Sequence, residues 1–186
     1  MYVIWYTAMS MDGRIASYDN SLDFLNSIEP GPPSKDSGPG FDEFLASVDA
    51  VVAGATTMRW LLDRGHSLPA DRKPTWIVSH DASIIDRIGV TAAPVRRFEG
   101  DIDALFRDIE AHHHDRVWLC GGSDIAGQAL ALDHIDEVAV TIAPTVLGSG
   151  PALFDVRPLA QRRFRLTECR ADGTAARLTW RRRRDG

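Results

Sequence analysis

The first groups suited to phosphate chemistry follow the apolar run at residues 50–53, where the sequence continues Gly-Ala-Thr-Thr over residues 54–57. Gly54 allows a ligand to approach the backbone closely, because glycine has no side chain. The hydroxyl groups of Thr56 and Thr57, together with free N–H groups at the start of a helix, suit a phosphate. A simpler interpretation, in which Thr57 only caps the helix, stays open.

A second segment, at residues 120–127, has the same order of apolar run, glycine and helical pattern. The residues of its glycine turn and first helical turn are Gly121, Gly122, Ser123, Asp124, Ile125 and Ala126. A pyrophosphate can rest on the N-terminus of such a helix, where unpaired N–H groups and the helix dipole attract anions. The segment lacks the full G-x-G-x-x-G pattern, which excludes the usual Rossmann site.

Two polar segments also follow apolar runs. Ser79 and His80 place a hydroxyl and an imidazole after residues 76–78, although an ordinary surface position for His80 is an alternative. Asp12 lies in an Asp-Gly turn directly after the N-terminal apolar run. We take Asp12 as the candidate catalytic or orienting group, and an ordinary turn is the alternative.

Three consecutive histidines, at residues 112–114, are the feature that suggests a metal. Consecutive residues on a helix point in different directions, so these side chains cannot easily converge on one ion. We expect a solvated helix end there and no metal site.

Alternating strands and helices are needed to position these groups. Apolar runs rich in β-branched and aromatic residues predict strands at residues 2–8, 50–53, 76–78, 95–98, 117–120 and 137–143. Helical spacing of apolar residues predicts helices at residues 41–48, 58–65, 102–109 and 123–132, with Asp101 as an N-cap. An Asp-Gly turn at residues 172–173 predicts a closing antiparallel hairpin. The fold class is therefore α/β, with a mixed sheet in a three-layer α/β/α arrangement.

Composition excludes several classes of protein. The 186 residues carry a formal net charge of −5, which repels a polyanion, so we expect no nucleic-acid partner. The two cysteines do not form a disulfide framework, and no apolar run approaches the roughly 20 residues of a membrane helix. With no signal-peptide pattern at the N-terminus, we expect a cytoplasmic protein that does not bind a membrane.

One domain, residues 1–186, accounts for the whole pattern. A Pro/Gly-rich segment at residues 30–40 predicts a flexible loop, either a lid beside a site or a tolerated insertion. The basic run at residues 181–184 is interpreted as solvated, and residues 182–186 as a tail.

Five segments, in this order, resemble the reductase domain at the C-terminus of bifunctional riboflavin-biosynthesis deaminase–reductases, a relative of dihydrofolate reductase. They are residues 10–16, 49–57, 77–79, 120–123 and 136–150, and together they extend over nearly the whole chain. The resemblance implies a dihydrofolate-reductase-like fold with NADPH across the C-terminal edge of the sheet. It also implies a homodimer.

By position, the resemblance implies a place for each part of NADPH. Thr57 would hold the phosphate region, Ser79 would lie near the adenosine ribose phosphate, and residues 121–126 would cradle the pyrophosphate. His80 stands where many relatives carry arginine beside the 2′-phosphate. The residues that would border the nicotinamide are Ala8, Ile15 and Ala16.

The activity that the resemblance implies is NADPH-dependent reduction of a small heterocyclic or carbonyl substrate. The heterocycle would be pterin-like or ribosylaminopyrimidine-like, as in the 5-amino-6-(5-phosphoribosylamino)uracil reductase domain. Leu119 stands where riboflavin-pathway reductases commonly place a glutamate, so the substrate stays open. The alternative is a non-catalytic NADPH-binding module or sensor on the same fold.

Overall fold

A computed structural model of the chain describes residues 1–31, 40–156, 158 and 160–183. Its eight strands are β1 (Tyr2–Met9), β2 (Ala50–Gly54), β3 (Thr75–Val78), β4 (Val95–Phe98), β5 (Arg116–Gly121), β6 (Ile135–Ile142), β7 (Phe164–Asp172) and β8 (Ala175–Arg182). Its helices are α1 (Phe41–Ala46), α2 (Ala55–Asp63), α3 (Ile84–Ile88), α4 (Ile102–Ala111) and α5 (Ser123–Ala131), with short 3-10 helices at Asp23–Ser27 and Pro69–Asp71. Residues 32–39 of the predicted 30–40 loop lie outside the described residues.

The strands form one mixed sheet in the order β4-β3-β2-β5-β1-β6-β8-β7. The six strands from β4 to β6 are parallel, and β8 and β7 add an antiparallel hairpin beside β6. The carboxyl ends of the parallel strands therefore meet along one edge of the sheet. The described helices are too short or too polar to cross a membrane.

Helices cover both faces of the sheet, so the predicted three-layer α/β/α class is confirmed. On one face, α4 and α5 pack on a core that contains Trp5, Phe106 and Leu119. On the other face, Leu45 of α1 and Met58 of α2 belong to two smaller clusters. Burial of these apolar side chains is the main stabilising contribution to such a sheet.

Helix α4 illustrates how local sequence signals produce an element. The Asp101 carboxylate accepts a hydrogen bond from the Ala104 N–H at 2.7 Å, which confirms the predicted N-cap. The helix buries Ile102, Leu105 and Ile109 on one face, as their spacing predicts.

The C-terminal end of the described chain departs from prediction, because the basic run is only partly a solvated tail. Arg181 and Arg182 belong to strand β8. Arg181 Nε lies 3.0 Å from Glu137 Oε2, and Arg182 Nη2 lies 2.9 Å from Asp133 Oδ1. The prediction that the tail starts at residue 182 is wrong, since these partners come from β6 and the α5–β6 connection and are distant in sequence. Residues 184–186 lie outside the described residues.

Candidate functional site

A cleft of about 750 Å³ opens where β1, β2, β3 and β5 end. Its walls include the first residues of α2, the first residues of α5 and the segment after β1. This volume falls in the range of small-molecule and cofactor sites.

Two glycines bring the starts of α2 and α5 into direct contact. A Cβ atom placed on Gly121 would lie 2.6 Å from Thr57 Oγ1, which is closer than real Cβ contacts. A Cβ on Gly54 would lie 3.0 Å from Ile125 Cδ1. The peptide bond between Gly121 and Gly122 is cis. A side chain at position 121 would require the Thr57 side chain to shift, so the two strand ends that the sequence predicts as phosphate sites form one cradle.

Two helix N-termini face this cradle. Helices α2 and α5 each have nine residues and a glycine N-cap, Gly54 and Gly122, with no capping side chain. Their first N–H groups therefore have no intrahelical partner and carry partial positive charge. Thr57 is the third residue of α2, so the alternative in which it caps the helix is wrong. A pyrophosphate fits this pair of helix starts.

The half of the cleft beside β3 is polar. Arg59 Nη2 lies 3.2 Å from Asp81 Oδ2. The Ser79 hydroxyl accepts the Asp81 N–H at 3.0 Å. Hydrogen bonds from the Ser83 hydroxyl and then from Arg59 lower the pKa of Asp81, so its carboxylate is ionised at neutral pH.

His80 lies at the rim of this polar half. Its side chain is 91% exposed, and Nδ1 lies 3.1 Å from Glu99 Oε1. Arg97 links the residues of this rim: its Nη1 donates to the Ser79 carbonyl at 3.0 Å and lies 2.7 Å from Glu99 Oε2. Hydrogen bonds from Arg97 and then His80 lower the pKa of Glu99.

The half of the cleft beside β1 is largely apolar. It is lined by Trp5, Thr7, Ile15, Ala16, Leu22 and Pro151. Trp5 is fully buried, and its indole Nε1 has no hydrogen-bond partner among the described residues. A buried N–H without a partner is costly, so this donor fits an acceptor oxygen of a bound molecule.

Asp12 has a structural position outside the cleft lining. Its carboxylate accepts hydrogen bonds from the Ser10 hydroxyl at 2.6 Å, from Leu147 N–H at 3.0 Å and from Gly148 N–H at 2.8 Å. The bond from Ser10, followed by that from Leu147, lowers the pKa of Asp12 to about 2. An ionised carboxylate cannot donate a proton at neutral pH. The geometry supports the turn-forming interpretation, and the catalytic or orienting role of Asp12 stays a prediction.

The structure gathers most of the other predicted site residues into the cleft wall. They are Ile15, Ala16, Gly54, Thr56, Thr57, Ser79, His80, Gly121, Gly122, Ser123, Asp124 and Ile125. Among the described residues, Ala8 and Ala126 are not part of the lining. Ala8 points to the opposite side of β1 from Trp5 and Thr7, because side chains alternate along a strand. Ala126 is completely buried in the core beneath α5.

Several lining residues were not predicted from the sequence. Arg59 and Trp60 line the cleft together with Thr56, and Asp81 lies opposite them. The signal was available, because residues three and four positions after Thr56 share its face of a helix. Trp5 was not predicted, because the apolar sequence of β1 indicates a buried strand and gives no sign of a binding site.

Cys120 belongs to the cleft wall, whereas the three histidines at residues 112–114 lie outside its lining among the described residues. Cys120 lines the cleft, but burial raises the pKa of its thiol to about 12, so it is not a thiolate nucleophile. His112 and His114 instead make edge-on contacts with Trp76. Among the described residues, no group of three or more potential ligands could hold a metal ion.

Comparison with known proteins gives one matching family. The model of the RibD C-terminal domain matches residues 61–178. A relative, the uncharacterized protein YwjB of Bacillus subtilis (strain 168), is 27% identical over 153 residues, which is 81% of each chain.

Solved structures share the fold. A protein from Shewanella sp. PV-4, assigned by name to riboflavin biosynthesis, has a TM-score of 0.83 and 25% identity, with 99% of this chain and 100% of that one covered. The deaminase/5-amino-6-(5-phosphoribosylamino)uracil reductase of Thermotoga maritima has a TM-score of 0.72 and 16% identity. That match covers 98% of this chain and 56% of the Thermotoga chain.

Proposed function

The chain belongs to the RibD C-terminal domain family, and from this premise we propose that it is a reductase of the riboflavin-biosynthesis type that uses NADPH. The observation that carries the proposal is the cradle in which the starts of α2 and α5 meet at Thr57 and Gly121. Two uncapped helix N-termini at one point suit a pyrophosphate, the central group of a dinucleotide.

The two halves of the cleft suit the two ends of NADPH. The apolar half, with Ile15, Ala16 and Pro151, would border the nicotinamide, and the polar half beside Ser79 would take the adenosine ribose. Trp5 Nε1 would donate to an acceptor oxygen at the nicotinamide end. The bound nicotinamide would supply a hydride to the substrate and leave as the oxidised cofactor.

Residues of the chain would orient the reactants and exclude water. Among the described residues, the apolar half contains no carboxylate, imidazole or ammonium group. The apolar half therefore contributes by orienting the reactants and excluding water, and orientation can supply a large part of the reduction in the activation barrier. The substrate would be a small heterocycle, pterin-like or ribosylaminopyrimidine-like, or a carbonyl compound.

The proposal is tested by following NADPH absorbance with purified protein and a panel of substrates. The panel contains a phosphoribosylaminopyrimidine, a pterin and simple carbonyl compounds. We expect oxidation of NADPH with at least one member, at a rate proportional to protein concentration. Tight NADPH binding without oxidation by any member would instead support the non-catalytic binding module or sensor.

We also propose that the chain forms a homodimer through the hairpin groove, the open sheet face over β6, β8 and β7. The groove has a volume of about 540 Å³ and is bordered by Phe44 of α1. Charged side chains of both signs line it, namely Glu137, Glu168, Arg170 and Arg181. A surface with both signs can complement its own copy across a two-fold axis, which favours a second copy of the chain as the partner.

A further inference from the structure

Arg59 and Asp81 form an ion pair inside the polar half of the cleft. The Nη2–Oδ2 distance is 3.2 Å, and the two side chains are 40% and 37% exposed. Among the described residues, Arg59 is the only arginine that lines the cleft. Exposed ion pairs are weak, so this guanidinium can exchange its carboxylate for a ligand anion at little cost.

The position of this pair along α2 indicates which anion it meets. The cradle for the pyrophosphate lies at Thr57 and Gly121, and Arg59 lies two residues further along α2. Its side chain reaches toward Asp81, just beyond the end of β3, on the opposite side of the cradle from the apolar half. An adenosine ribose therefore falls on the Arg59 side when the nicotinamide occupies the apolar half.

The neighbouring cationic side chains, Arg97 and His80, are less suited than Arg59 to bind an anion on the adenosine ribose. Arg97 already donates to the Ser79 carbonyl at 3.0 Å and pairs with Glu99 at 2.7 Å, and it does not line the cleft among the described residues. His80 offers a single ring nitrogen, and Nδ1 lies 3.1 Å from Glu99. A guanidinium presents parallel N–H donors that match a phosphate and keeps its charge at every physiological pH.

We propose, resting on the proposed function, that Arg59 selects NADPH over NADH by exchanging Asp81 for the 2′-phosphate of the adenosine ribose. Asp81 acts in the opposite direction, because its carboxylate repels the phosphate and can accept a hydrogen bond from the 2′-hydroxyl of NADH. The two residues together set the coenzyme preference of this chain.

Dissociation constants for NADPH and NADH, measured by calorimetry on the full chain, test this assignment. We expect Arg59→Gln to weaken NADPH binding by about 10- to 100-fold, the effect of losing a charge-assisted bond to phosphate. NADH binding changes by less than about twofold, since it lacks that phosphate. Asp81→Asn keeps the Oδ1 acceptor for Ser83 and is expected to tighten NADPH binding by about fivefold.

Arg87→Gln is the matched control. It also removes one arginine, whose Nη2 lies 2.6 Å from Asp63 Oδ1 and which is not in the cleft lining among the described residues. We expect it to leave both dissociation constants unchanged. Melting temperatures of all three variants establish that each is folded.

The outcomes separate the two proposals. If the wild-type chain binds neither dinucleotide, the proposed function is overturned and the Arg59 assignment with it. If the wild-type chain binds NADPH and Arg59→Gln binds NADPH and NADH as the wild type does, only the Arg59 assignment is overturned. Equal weakening of both dinucleotides in a folded Arg59→Gln would also overturn it, because selection requires a difference.

Discussion

Asp12 adds side-chain hydrogen bonds to the contact between the turn after β1 and the segment after β6, which backbone hydrogen bonds such as Met11 N–H to the Thr145 carbonyl also join. Its carboxylate holds Ser10 in its own turn and the N–H groups of Leu147 and Gly148 from the segment after β6. This contact lies next to residues 15 and 16, which form part of the apolar half of the cleft. Asp12 therefore supports the site from outside it.

Replacing Asp12 by Asn is expected to lower the melting temperature in a pH-dependent way. The pKa falls from the usual 3.8 to about 2 on folding, so the stabilisation is present above pH 3.8 and is lost as the pH falls through 2. Melting curves of wild type and Asp12→Asn should differ at pH 6 and converge near pH 2.

Asp86→Asn, which removes an exposed carboxylate on α3, is the control. Its difference in melting temperature from the wild type should be the same at pH 6 and near pH 2. A melting temperature of Asp12→Asn that matches the wild type at every pH would contradict this structural role.

Trp5 provides a second test at the residue scale. Trp5→Phe removes an indole N–H that has no partner among the described residues. NADPH binding should weaken by about 3- to 10-fold, the usual effect of one hydrogen bond. Trp76→Phe is the control, because Trp76 Nε1 donates to Asp108 at 2.6 Å away from the cleft, so it should lower stability without affecting NADPH. Unchanged NADPH affinity in Trp5→Phe would contradict the proposed donor.

The chemical type of a residue was easier to predict from the sequence than the direction of its side chain. Thr57 and Gly121 were identified because a strand–glycine–helix order has local physical causes. The side-chain direction of Ala8 was not predicted, since the phase of β1 depends on the core that it faces. Asp12 was chosen as a candidate because its polar turn directly follows a core strand, and its partners at residues 147 and 148 were not predicted because they are far along the chain.

At the scale of elements, the contact between α2 and α5 determines the shape of the cradle. Gly121→Ala would place a Cβ 2.6 Å from Thr57 Oγ1 and displace that hydroxyl from the cradle. Overpacking of this kind costs about 1–3 kcal/mol, so we expect both lower stability and weaker NADPH binding. Chemical denaturation and calorimetry measure the two effects.

Gly65→Ala, at a residue beyond the end of α2 with φ +63° and open space around it, is the comparison variant. It should lower stability through backbone strain while leaving NADPH affinity as in the wild type. A Gly121→Ala variant with wild-type NADPH affinity would contradict the role of the cradle.

Element boundaries followed from the sequence where a cap or periodicity fixed them locally. Asp101 and the apolar spacing of α4 are such a case. Helix α3 was not predicted, because its five residues are too few for a period to stand out. The last strand was predicted over residues 175–181, and Arg182 was not included, since it is held by Asp133 through a contact distant in sequence.

At the scale of the whole molecule, the sheet carries the cleft at the carboxyl ends of its parallel strands and the hairpin groove over β6, β8 and β7. Strand order could not be deduced from the sequence alone, since β5 inserts between β2 and β1 through long-range pairing. The three-layer class could be deduced from the sequence, because alternating strand and helix patterns with a final hairpin permit few other arrangements.

The proposed dimer is tested by light scattering, which should give twice the 20.5 kDa chain mass. Thr179→Lys adds a long charged side chain within the hairpin groove and should shift the mass toward one chain. Leu166→Lys, at an exposed position of β7 outside the groove lining among the described residues, should leave the dimer intact. A wild-type mass of one chain at all concentrations would contradict the dimer.

Titration of the purified wild-type chain with NADPH and NADH tests the central claim most directly. Nicotinamide fluorescence and calorimetric heat report the same binding event independently. We expect saturable binding of one NADPH per chain in the micromolar range, tighter than NADH. Absence of saturable binding by either dinucleotide would contradict the cofactor site, and with it the proposed reductase function.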